Sequence, residues 1–108
     1  MLGEFEYMVL CAAARLKQNA YGAAIRREIE AALDRPCSIG ALYTTIDRLE
    51  TKGLIESWMG EASAERGGRQ KRMIRLTSDG RREASDFYRA IARASHGLTW
   101  CNSPALLR

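Results

Sequence analysis

The side chains with the most definite chemistry fall into two groups. Between Arg66 and Arg75 stand five basic residues, Arg66, Arg69, Lys71, Arg72 and Arg75, with no acid among them. A run of cations neutralises phosphates and displaces their condensed counterions. Gly67 and Gly68, just before Arg69, let the backbone approach a phosphate and adopt positive φ. The second group is Ser38, Gly40, Ala41, Tyr43, Thr44, Thr45 and Arg48. Its small residues permit close approach to a surface. Its hydroxyls hydrogen-bond phosphates or base edges, and threonine methyls touch thymine. Arg48 is the longer arm, able to reach a phosphate or a guanine edge. A solvated loop and an ordinary solvated helix face are the plain alternatives. The two groups together favour double-stranded DNA as the partner.

Catalytic readings find little support. His96 is the single histidine, five residues before Cys101 and near the end of a helical pattern. No metal site or nucleophile–base pair can be built from that. Glu28, Glu30, Asp47 and Glu50 read as solvated helix charges. Cys11, Cys37 and Cys101 lack C-x-x-C spacing, and Gly67-Gly68-Arg69 does not stand between a strand and a helix. The expectation is a protein with no catalytic residues, no metal and no cofactor. An odd cysteine count without a signal-peptide pattern suggests reduced thiols in a cytoplasm. Cys11 is expected to be a small buried hydrophobe.

The elements that position the two groups follow from periodicity. Phe5, Met8, Val9, Ala12 and Leu16 step by three and four, predicting a helix over 4–17. Tyr7, Leu10, Cys11 and Ala14 fill much of its other side, so this helix needs burial on two faces. Ile25, Ile29 and Leu33 mark a second helix over 21–33, ended by Arg35-Pro36. Ser38 is the N-cap of a third, 39–52, with Ile39, Leu42, Ile46 and Leu49 as its buried stripe. Ala41, Thr44, Thr45 and Arg48 occupy its open face. Strands are expected over 54–59 and 73–76, joined by a long hairpin tip. A last helix, 78–95, carries Ala84, Phe87, Ile91 and Ala94 at helical spacing, with Tyr88 beside them.

The chain has 108 residues, 46% hydrophobic and 28% charged, with a net charge of +4, which suits one globular, mildly basic domain. Its longest apolar run, Met8 to Ala14, is far short of a membrane span. Three helices, a long basic hairpin and a further helix make a mainly α fold with a β-hairpin. That order is the layout of a winged helix-turn-helix, with the last helix expected to serve as a C-terminal dimerisation helix.

Several segments resemble the PadR family of bacterial transcription regulators. They are Leu2-Gly3-Glu4-Phe5-Glu6, Ala20-Tyr21-Gly22, the run from Ser38 to Glu50 and Lys52-Gly53-Leu54-Ile55. Gly67-Gly68-Arg69 with Lys71-Arg72, then Arg75-Leu76-Thr77 and Gly80, resembles that family's wing and its exit. The resemblance covers about residues 2–95. It implies a homodimeric repressor of an inverted-repeat operator. Tyr43, Thr44 and Arg48 would fall on the recognition helix, Arg69, Lys71 and Arg72 on the wing, and Tyr21 near the DNA backbone. Met73-Ile74 departs from the aromatic residues common there. Some relatives respond to phenolic acids or hydrophobic drugs, which leaves a small hydrophobic ligand as a further partner.

The expected division is a DNA-binding domain over 1–77, a dimerisation helix over 78–96 and a flexible tail over 97–108. Phe5 and Met8 on the first helix, with Phe87, Tyr88, Ile91 and Ala94 on the last, are the candidate dimer surface. Two other readings compete: a winged helix that meets an acidic protein, and a protein whose first business is binding a small molecule.

Overall fold

The computed structural model describes residues 2–61 and 70–101. Helix α1, Glu4–Leu16, starts where the Glu6 carboxylate accepts the Gly3 backbone N–H at 2.8 Å. Val9, Leu10, Ala12 and Ala13 are buried, while Phe5, Tyr7 and Met8 are half-buried. Cys11, expected inside, is exposed. Steps of about 100° per residue align it with Tyr7 and Met8, at the half-buried edge of α1, rather than with the buried Val9, Ala12 and Ala13.

A short 3-10 turn, Lys17–Asn19, leads to helix α2, Gly22–Leu33. Ile25 and Ile29 are fully buried against α1 and the third helix. Asp34 ends α2 in the left-handed region at φ 55°, and Arg35-Pro36 prevents continuation. Helix α3, Ile39–Thr51, is capped by Ser38, whose hydroxyl accepts the Ala41 N–H at 3.2 Å. Leu42, Ile46 and Leu49 form the buried stripe as expected. Two assignments on this helix are corrected. Ile39 is 54% exposed, because it sits in the first turn, on the rim of an open groove beside Ala23, Arg26 and Glu30 of α2. Thr45, expected on the open face, is 5% exposed. It lies three residues after Leu42 and four before Leu49, which is the spacing of the buried side.

Strands β1, Ile55–Met59, and β2, Arg72–Leu76, pair antiparallel from Ile55↔Leu76 to Met59↔Arg72. Side chains alternate between faces. Ile55, Ile74 and Leu76 close over the core, while Glu56, Trp58, Met73 and Arg75 share the other face. The second edge of β2 is held to the turn before α2, with the Ile74 N–H donating to the Ala20 carbonyl at 2.9 Å.

Helix α4, Ser78–Ser95, is fixed at its root. Thr77 caps it, donating its hydroxyl to the Gly53 carbonyl at 2.7 Å and accepting the Gly80 N–H at 3.0 Å. A Cβ at Gly80 would overlap the Leu54 carbonyl, so only glycine lets this first turn rest on the α3–β1 connection. Beyond it, Ala84 and Phe87 touch the core, and Tyr88 and Ile91 stand in the open. A 3-10 turn, Thr99–Cys101, follows.

Candidate functional site

The start of α3 is set by α2. Arg26 Nε donates to the Cys37 carbonyl at 2.8 Å, and the Cys37 N–H donates to the Glu30 carboxylate at 2.8 Å. Both backbone groups just before α3 are thus held by side chains one turn apart on α2. The Cys37 side chain is buried, and burial, aided by the Glu30 charge, pushes its thiol pKa up. With the turn pinned and Ser38 capping, the first two turns of α3 present Gly40, Ala41, Tyr43 and Thr44 to solvent, with Arg48 one turn on.

Tyr43 lies across the first residue of α2. A Cβ at Gly22 would overlap the Tyr43 hydroxyl, so the glycine creates the seat for that ring. Tyr21, next to it, sits under the Lys71 ammonium at 4.2 Å and the Arg27 guanidinium at 5.9 Å. Its hydroxyl accepts from Arg27 Nη2 at 3.1 Å. The fold thereby brings α3, the α2 N-terminus and the stem of the hairpin to one edge, bearing two cations and two phenols. Arg27 was not singled out in the sequence. Its only signal was its place as a basic residue in the first two turns of α2.

The basic run does not act as one unit. Lys71 stacks on Tyr21. Arg72 turns to α3, with Nη1 2.9 Å from Asp47, Nη2 3.0 Å from Glu50 and Nε donating to the Ser57 hydroxyl at 3.2 Å. Arg75 lies on the opposite face, 5.2 Å over the Trp58 ring and 3.4 Å from Glu56. Strand alternation is the reason that successive cations part company. Glu50 also accepts from the Ser57 hydroxyl at 2.6 Å. That bond first, and the Arg72 charge after it, hold its carboxyl below the ordinary value. Arg66, Gly67, Gly68 and Arg69 lie outside the described residues.

The candidate dimer residues lie on α1 and α4. Phe5, Met8 and Phe87 are half-buried; Tyr88, Ile91 and Ala94 are exposed. Phe87 stacks on Tyr7 with ring centres 4.9 Å apart. Burial and the neighbouring Cys11 thiol push the Tyr7 phenol up to about 12. An open groove of about 560 Å³ runs between α1 and α2, past Tyr7, Met8, Cys11, Ala12 and Ile29. Among the described residues no three His, Cys, Asp or Glu side chains gather as a metal site, and no helix is long and apolar enough to cross a membrane.

A helix-turn-helix with a two-stranded wing and one further helix defines the winged-helix class. Residues 9–86 match the PadR-like family of transcriptional regulators, and the chain belongs to it. It is a DNA-binding regulator, not an enzyme. Its structure is similar to RosR of H. salinarum, 26% identical over 89% of this chain and 79% of that one, with a TM-score of 0.68. A PadR-family regulator of Eggerthella lenta shares the fold at 22% identity and TM-score 0.68, over 94% of this chain and 88% of that one. Bacillus subtilis PadR, solved with operator DNA, shares it at 19% identity and TM-score 0.63, over 79% of this chain and 46% of that one. No curated protein matches the chain.

Proposed function

We propose that the chain is a homodimeric repressor in the cytoplasm whose α3 enters the major groove of an inverted-repeat operator. The observation that carries this reading is the start of α3. There, Ala41, Tyr43 and Thr44 project as short or hydroxyl-bearing side chains, with Arg48 one turn on. The N-terminal part of a recognition helix is what meets base edges. Tyr43, Tyr21, Arg27 and Lys71 stand beside it, where hydroxyls and cations suit the flanking phosphates. Ser38 contributes through its cap, which directs the helix. Gly67, Gly68 and Arg69 would extend the contact along the wing. The operator complex of Bacillus subtilis PadR supports the same use of a shared fold.

Two copies are needed because one winged helix reads too few base pairs for a unique site. Half-sites about 34–36 Å apart, or a multiple of that, place both recognition helices on one face of the duplex. Phe5, Met8, Tyr88, Ile91 and Ala94 form the apolar surface for pairing. A small hydrophobic ligand lodged there would change the spacing and release the operator.

The test begins with duplexes selected from a random pool by the wild-type protein. Replacing Arg48 with Ala is expected to cost about 1–3 kcal/mol at the base it reads. Normal binding by Arg48→Ala in a gel-shift series would remove Arg48 from base reading. Failure of the wild-type protein to enrich any duplex would remove the DNA reading altogether, in favour of an acidic protein partner.

A further inference from the structure

The open side of α3 carries an apparent contradiction. Asp47 lies three residues after Thr44 and four after Tyr43, so helical spacing places it on the side offered to DNA. Glu50 follows one turn later. Two carboxylates facing a polyanion oppose binding, because like charges brought together in an interface destabilise it. Asp47 has 67% of its side chain exposed and Glu50 41%, so burial does not hide them.

Both are met by one guanidinium. Arg72 spans them at 2.9 and 3.0 Å and has only a quarter of its side chain exposed. Its third nitrogen donates to Ser57, which donates in turn to Glu50, so β1, β2 and α3 close one ring of hydrogen bonds. The planar fork of arginine suits this double engagement, whereas a lysine ammonium would satisfy it poorly. All three guanidinium nitrogens of Arg72 already bond protein oxygens, and it is the less exposed of the two stem arginines, Arg72 and Arg75.

We propose that Arg72 is a positioning residue rather than a phosphate contact: it cancels the Asp47 and Glu50 charges on the recognition helix and fixes the wing's angle to that helix. The inference rests on the DNA reading above. It refines the sequence expectation that Arg72 itself touches DNA. Through this clamp, the wing cannot swing away without uncovering two negative charges next to the phosphates.

A mutant cycle on the full chain separates the two roles. The probe is a duplex selected by the wild-type protein, and the readouts are affinity and its salt dependence. Arg72→Ala is expected to weaken binding about tenfold, since it uncovers two carboxylates. In an Asp47→Asn/Glu50→Gln background the same change is expected to cost no more than about twofold, because no charge is left to cover. A phosphate contact predicts otherwise: an equal loss in both backgrounds, and a salt slope about one unit smaller each time. That result, or unchanged binding by Arg72→Ala, overturns the clamp while leaving the DNA reading intact. Should Arg72→Ala fail to fold, Arg72→Gln and Arg72→Lys replace it. There the clamp predicts that the Lys variant loses affinity despite keeping its charge, and full rescue by Lys overturns it. NMR titration of the Glu50 carboxyl without DNA gives a separate check. Its pKa must rise when Arg72 is replaced, and an unmoved titration overturns the charge cancellation.

Discussion

At the scale of single residues, the buried Glu6 shows how one carboxylate joins two helices. It accepts the Gly3 N–H at the start of α1 and the Lys52 ammonium, 2.8 Å away, at the end of α3. Burial works to raise its pKa, but the Gly3 N–H and the Lys52 charge outweigh that, and the carboxyl lies below its ordinary 4.5. A folded-state pKa below the unfolded one gives stability that is complete above pH 4.5 and is lost as pH falls through the folded value. Glu6→Gln is therefore expected to cost about 1 kcal/mol at neutral pH, discounted for the partly exposed Lys52. Its stability should also fall less steeply in acid than that of the wild type. Thermal unfolding followed by circular dichroism across the acid range checks this, and parallel wild-type and variant curves would assign the acid sensitivity elsewhere, with Glu50 next in line.

At the scale of elements, the wing stem and α2 work as a unit. Lys71 is held over Tyr21, whose position depends on α2, so a cation of the hairpin is aimed by a helix start. Exposed cation–π contacts contribute only about 0.5–1 kcal/mol, which orients the ammonium without removing it from solvent. It stays available to a phosphate. Lys71→Ala is expected to weaken specific and non-specific duplexes together and to reduce the salt slope by about one. Arg72→Ala should do neither in the charge-neutralised background. Affinity measured against salt on both duplex types decides it, and a slope unchanged by Lys71→Ala would return this lysine to solvent.

At the scale of the whole molecule, α4 presents a largely uncovered stripe. Among the described residues Gly80 is its only buried position, and Phe87 already packs on Tyr7 of the same chain. The large exposed side chains of the proposed dimer surface are Tyr88 and Ile91, at 62% and 48% exposure. Tyr88→Glu/Ile91→Glu should leave the fold intact and abolish the dimer, which sedimentation reads directly. The same variant is expected to lose cooperative operator binding while keeping non-specific affinity. A double variant that still sediments as a dimer moves the interface off α4.

The helical spans were legible from the sequence because each rests on local signals. Three-and-four spacing, the Ser38 and Thr77 caps, Pro36 and Gly53 placed each of the four α-helices within a residue or two of where it lies, but not the 3-10 turns. The approximate span expected for α4 matches Ser78–Ser95 closely. The faces were less legible. Ile39 and Thr45 were assigned by hydrophobicity, yet which side of α3 is covered depends on where α2 and the strands pack. Cys11 was judged by its residue type, and its exposure follows from the side of α1 that the fold leaves open. The basic run was visible as charge, but strand pleating parted Arg72 from Lys71 and Arg75, and the neighbours of each gave the three cations three different partners. Asp47 and Glu50 lie more than twenty residues before Arg72, and no local pattern links residues so far apart. Composition and periodicity determined the elements and the kind of partner. Only chain packing, which brings distant side chains within 3 Å, decided which cations remain free to meet it.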